Sequence, residues 1–218
     1  MIKRLVWNFE LCLEKPIDFE RLENGEEDVL SWEARYFWPD TAIIPIKGMS
    51  ENFLDLSQYK IKHREDLYFL SPDGQSNIKK RKGSLWYKPL QQKRAHLSGF
   101  AKKINLSESP GPFGANIIKE LRRSNPSSAL RAPSPQAWGE PNDSHLLAVD
   151  KIALIKNLDC NPPIKFELAR LTIHEQIYFT ACIESHAYAY VKDISEQMFP
   201  EQTTADYVHF LEQIIAKE

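Results

Sequence analysis

Alternation of apolar and polar positions dominates the chain. From Val29 to Trp38, Leu30, Trp32, Ala34, Tyr36 and Trp38 share one face, and Ser31, Glu33, Arg35 and Phe37 share the other. That period of two predicts a half-buried strand, ended by Pro39-Asp40. Val6 to Leu13 alternates in the same way and predicts one strand, with Trp7, Phe9, Leu11 and Leu13 on its apolar side. Three short strands are expected between Asp66 and Lys88: Asp66 to Leu70, Asn77 to Arg81, and Ser84 to Lys88. Turn residues separate them at Ser71-Pro72-Asp73-Gly74 and around Lys82-Gly83. An alternating run from Leu146 to Lys156 follows. Phe166 to Ile173 and Gln176 to Ser185 then read as a hairpin around His174-Glu175.

Helical spacing is rarer. Ser50 to Gln58 predicts a short helix with Ser50 as its N-cap. Val191 to Glu218 predicts a terminal amphipathic helix, striped by Tyr207, Leu211 and Ile214 and capped by Thr203 or Thr204. Residues 107 to 144 are rich in Pro, Ser, Gly and Asn and poor in apolar periodicity. They predict an exposed insertion, with a brief basic helix over Asn116 to Arg123 and no independent domain. A chain of 218 residues suffices for one domain with a full core. The expected fold is therefore a single α+β domain over residues 1–218. Its body is a mainly antiparallel β barrel or tunnel with peripheral helices.

Charge narrows the partners. The formal net charge is −2 and the pI about 6.3, which argues against duplex nucleic acid or an anionic membrane surface. The basic runs Lys79-Lys80-Arg81-Lys82, Lys93-Arg94 and Lys102-Lys103 carry few interleaved aromatics, so no nucleic-acid partner is expected. No apolar run reaches the length of a membrane span, and the N-terminal run is too short for a leader. A cytoplasmic protein is expected. Cys12, Cys160 and Cys182 form no CxxC pair, and the six histidines form no HExxH or H-x-H pair. His63 reads as a solvated turn residue and His186 as a surface one. There is no G-x-S-x-G, Walker A or G-x-G-x-x-G motif.

The polar faces carry the candidate chemistry. Lys79 and Arg81 share one face of their strand, and Trp86 and Lys88 share one face of the next. Arg35, Lys151, Glu33, Glu167 and Glu184 belong to polar faces of other strands. A solvated outer face would show the same pattern. If the faces point inward, several cations meet in one space, and enclosed cations need an anion.

The succession of motifs resembles the CYTH-like proteins, the triphosphate tunnel metalloenzymes. The stretches that carry the resemblance are WEARYFW, DLYFL, NIKKRKGSLWYK, VDK, FELARL and ACIES, over about residues 29 to 190. The resemblance implies an eight-stranded antiparallel tunnel in which basic side chains grip a triphosphate and acidic ones hold a divalent metal. It implies phosphate-gripping roles for Lys79, Arg81, Lys88 and Lys151, with Arg35 beside them. It implies metal-directed roles for Glu33, Glu184 and Glu167, and Mg or Mn as the cofactor.

The chain departs from the family pattern at the opening Glu-x-Glu-x-Lys strand. With Glu33 as the second Glu, Ser31 and Arg35 replace the other two residues. With Glu33 as the first, Arg35 and Phe37 do. Ala153 also stands where a second basic residue follows Val-x-Lys. A hard divalent ion needs several oxygen ligands, so the phosphate grip is expected to outlast the metal grip. The leading expectation is a divergent tunnel protein that binds a phosphate-bearing or other anionic small ligand, with metal-dependent hydrolysis weak or lost. An active metal-dependent triphosphatase or phosphohydrolase is the first alternative, and a non-catalytic scaffold for a protein partner the second.

Overall fold

The computed structural model describes residues 1–19, 22, 25–70, 77–108 and 145–217. Thirteen strands appear among them. They are β1 (Ile2–Val6), β2 (Phe9–Cys12), β3 (Ser31–Pro39), β4 (Ile44–Lys47), β5 (Lys60–Leu70), β6 (Asn77–Arg81), β7 (Ser84–Lys88), β8 (Leu90–Arg94), β9 (Leu97–Phe100), β10 (Ile104–Asn105), β11 (His145–Leu158), β12 (Ile164–Ile173) and β13 (Gln176–Ser185). Two helices follow, α1 (Tyr188–Met198) and α2 (Tyr207–Ile215).

Ten strands form one antiparallel sheet in the order β10-β7-β6-β5-β11-β12-β13-β3-β9-β8. The sheet is strongly curled. β7 and β3 stand six places apart, about 29 Å in a flat sheet, yet Lys88 Nζ on β7 lies 2.6 Å from Glu33 Oε2 on β3. The two edges are also continuous in the chain. Only Pro89 separates β7 from β8, and the Ala101 amide donates to the Pro89 carbonyl at 3.0 Å between β9 and β10. β7–β8 thus runs as one bent strand and β9–β10 as its bent partner. Proline, which has no N–H to give a ladder, sits at the bend.

The pleat sorts β3 as its alternation predicts. Trp32, Ala34, Tyr36 and Trp38 are buried on the convex side. There they pack with β12, β13, α1 and a second sheet of three strands, β1-β2-β4, in which β2 and β4 run parallel. The opposite face carries Glu33, Arg35 and Phe37 inward. α2 closes the far half of that concave side. Its Tyr207, Val208, Phe210, Leu211 and Ile214 pack on Tyr68, Val149, Ala153, Ala169, Leu171 and Ile173. Phe37 stacks on Phe210 at 3.8 Å between ring centroids. The concavity is thereby divided into an apolar half under α2 and a charged half.

Several expected elements differ. The run from Val6 to Leu13 is not one strand, because Trp7 takes a φ of 48° and folds β1 and β2 into a hairpin. Ser50 to Gln58 forms two single 3₁₀ turns, Glu51–Leu54 and Leu56–Gln58, and the Ser50 side chain caps neither. β5 begins at Lys60, which places His63 inside a strand opposite Ile152. The terminal helix is two helices. Asp206 caps the second by accepting from the His209 amide at 2.9 Å, in place of either threonine. The hairpin at His174-Glu175 is present, with φ of 46° and 66° at the two turn residues. Most of the insertion expected at 107–144, with its basic helix, and the turn at 71–74 lie outside the described residues. No helix among the described residues is long and apolar enough to cross a membrane.

Candidate functional site

Alternation aims one polar set from each wall strand into the charged half. The resulting cavity holds about 670 Å³ of space, part of it open to solvent. Arg35 comes from β3, Arg64 from β5, Lys79 and Arg81 from β6, Lys88 from β7, Lys151 from β11 and Lys165 from β12, with Lys103 preceding β10. Three carboxylates line the same space: Glu33, Glu167 and Glu184. Asp66 of β5 is a fourth, buried beneath Lys79 and Arg81. Every site residue expected from the sequence lies here: Arg35, Lys79, Arg81, Lys88, Lys151, Glu33, Glu167 and Glu184. Among the described residues eight basic side chains face four carboxylates, an excess of four positive charges when all are ionised.

The carboxylates are all engaged. Glu33 accepts from Arg35 Nε at 2.7 Å on one oxygen and from Lys88 Nζ at 2.6 Å on the other. Glu167, only 1% exposed, accepts from Lys151 Nζ at 2.6 Å and from Arg35 Nη1 at 3.4 Å, both on Oε1. Its Oε2 is buried without a hydrogen-bond donor, with Arg64 Nη1 at 3.7 Å. Glu184 pairs with Lys165 and accepts from Ser31 Oγ at 3.0 Å. Asp66 takes Lys79 Nζ at 3.1 Å and both ends of the Arg81 fork. Lys103 makes no ion pair among the described residues.

Burial and charge then act against each other. Burial alone would raise the Glu33 and Glu167 carboxyls, yet the neighbouring cations outweigh it and hold both well below the usual carboxylate range. The same contest leaves Glu184 at about 2, with Lys165 and Lys88 prevailing over burial. The lysines go the other way. Burial, helped by Arg81 and Lys151, brings Lys79 down to about 7 although Asp66 opposes it. Burial brings Lys151 to about 8, with Glu167 opposing and Arg35 assisting. Tyr68 and Tyr207 stack at 5.0 Å and form an aromatic floor. Lys79 lies 5.0 Å from the Tyr68 ring centroid, and Arg35 lies 5.3 Å from that of Tyr207. Such cation–π contacts offset part of the desolvation of the buried cations.

Glu33, Cys182 and Glu184 bring one ligand atom each within 4.8 Å of one another. The donor set suits Mg or Mn poorly. Hard cations of that kind take oxygen ligands, and the third donor is a thiol that burial pushes up to about 12. Both oxygens of Glu33 already accept from cations.

Sequence reasoning missed Arg64, Asp66, Tyr68, Lys103, Lys165 and Tyr207. One of these left a signal. A hairpin centred on His174-Glu175 pairs residues whose numbers keep a constant sum, and that register sets Lys165 opposite Glu184. Arg64 depends on the pairing of β5 with β11, where it faces Lys151, and no local pattern fixes that. No protein-family model and no curated protein matches the chain.

Proposed function

We propose that the chain is a divergent CYTH-like tunnel protein that binds a phosphate-bearing small anion, with metal-dependent hydrolysis weak or lost. The observation that carries the proposal is the excess of inward cations in one cavity. Buried charges are tolerated when paired, and four basic side chains beyond the available carboxylates favour an anionic occupant. Arg81 adds a guanidinium charge, its fork resting on Asp66, and Lys79, Lys88 and Lys103 add point charges, the two kinds of group that hold phosphoryl oxygens. The strand count supports the family resemblance: with β7–β8 and β9–β10 each taken as one strand, the curled wall has eight.

An active phosphohydrolase is the second reading, favoured by the proximity of Glu33 and Glu184. A cation there would polarise a phosphoryl oxygen or activate water. Titration calorimetry with tripolyphosphate, ATP and thiamine triphosphate, paired with phosphate-release assays in magnesium and manganese, separates the two. Binding without turnover is the expected result. Turnover that needs metal and is lost in Glu33→Gln would favour the hydrolase. No binding to any of the three would remove both readings.

A further inference from the structure

Each inward carboxylate occupies cations that a ligand would otherwise use. Glu33 holds Arg35 and Lys88 through separate oxygens, at 2.7 and 2.6 Å. Arg35 is shared with Glu167, which also holds Lys151. Glu184 holds Lys165, and Asp66 holds Lys79 and Arg81. A hard divalent ion at Glu33 and Glu184 would have to displace these cations and accept a buried thiol as its neighbour.

We infer that Glu33 and Glu184 are built-in counter-ions that compete with the incoming anion, so that each weakens anion binding instead of supporting it through a metal. The inference rests on the anion-site reading under Proposed function. It goes beyond that reading by fixing the sign of the carboxylate contribution. A ligand that takes Arg35 and Lys88 leaves Glu33 close to its own negative charge and short of partners. Its binding energy is reduced both by the lost ion pairs and by the new like-charge repulsion. Replacing Glu33 by Gln keeps the shape and an acceptor oxygen, releases Lys88 to the ligand and frees Arg35 from one of its two carboxylates. The same substitution takes the carboxylate from part-buried Lys88 and leaves buried Arg35 with Glu167 alone in the ligand-free protein. The variant should therefore be less stable alone and recover more stability on binding.

The test uses the full chain in EDTA with inorganic tripolyphosphate as the probe. Affinity is measured by titration calorimetry, and melting temperature is measured with and without the anion. Glu33→Gln should bind roughly tenfold more tightly than wild type or better. It should melt lower without the anion and gain more from it. Glu184→Gln should tighten binding in the same direction; its partner Lys165 is partly exposed, so it serves as the test if Glu33→Gln fails to fold. Wild-type binding with equal or weaker binding by the folded variants would overturn the inference and leave the anion site standing. Tighter wild-type binding on adding magnesium, lost in Glu33→Gln, would also overturn it. No binding by any of the three proteins would overturn the anion-site reading and the inference together.

Discussion

Anion binding should weaken steeply as pH rises from 6 to 9. Two lysines set the effect. Lys79 titrates at about 7, through burial and the charges of Arg81 and Lys151, with Asp66 opposing. Lys151 titrates at about 8, through burial and Arg35, with Glu167 opposing. A bound anion reverses these influences, because it stabilises the ammonium form of each. Below pH 7 both are mainly charged before the ligand arrives, and affinity is near its full value. Above their pKa values each must take up a proton as the anion binds. At pH 9 that costs two powers of ten for Lys79 and one for Lys151, so affinity should fall about a thousandfold from pH 6 if both are fully charged in the complex. Sulfate is the suitable probe, since its own charge is constant over this range. Calorimetry at pH 8 in two buffers of different ionisation heat should report about 1.4 protons taken up per anion. Lys79→Met should remove about two of the three powers of ten from the pH dependence. A flat affinity from pH 6 to 9, or binding without proton uptake, would refute the electrostatic account of the cavity.

Three further outcomes concern stability. Glu167→Gln should destabilise the fold by about 3–5 kcal/mol in a urea titration, because it strips the shared carboxylate from Lys151 and Arg35 in a buried setting. Acid should also destabilise it. Glu33, Glu167 and Glu184 all titrate below their ordinary values, so their contribution is full above the normal carboxylate range. It should be lost progressively as pH falls toward about 2, where Glu184 titrates, read as a falling melting temperature. Leu211→Ala removes a fully buried side chain of α2 from the apolar half of the concavity. It should cost about 2–5 kcal/mol by the same urea titration.

Much of the wall was legible because its strands are half-buried. The alternation of β3 separates Trp32, Ala34, Tyr36 and Trp38 from Glu33, Arg35 and Phe37, and the pleat keeps that division. Lys79, Arg81 and Lys88 were legible for the same reason, since β6 and β7 end where their turn residues stand. The first half of β5 was not. Lys60, Ile61, His63 and Glu65 are exposed, so no apolar face marks it. β8 was missed on the same ground, with Gln91, Gln92, Lys93 and Arg94 all exposed at a sheet edge. Trp7 misled because an aromatic at a positive-φ turn looks the same in sequence as one in a strand. Pro200, after α1, carries a signal of the break that the reading of one terminal helix left unused, as proline disfavours helical backbone in the residue before it. What no local pattern revealed is how the charges pair. Glu33 meets Lys88 only because the sheet curls, and curl is a property of the whole wall.

The most direct measurement is a crystal structure grown with tripolyphosphate in EDTA. The account predicts the anion in the charged half of the concavity, with phosphoryl oxygens within hydrogen-bond reach of Lys79, Arg81 and Lys88, no metal ion, and Glu33 turned from at least one of its present partners. An anion bound elsewhere, or a cavity with Glu33 still bridging Arg35 and Lys88 under saturating tripolyphosphate, would contradict it.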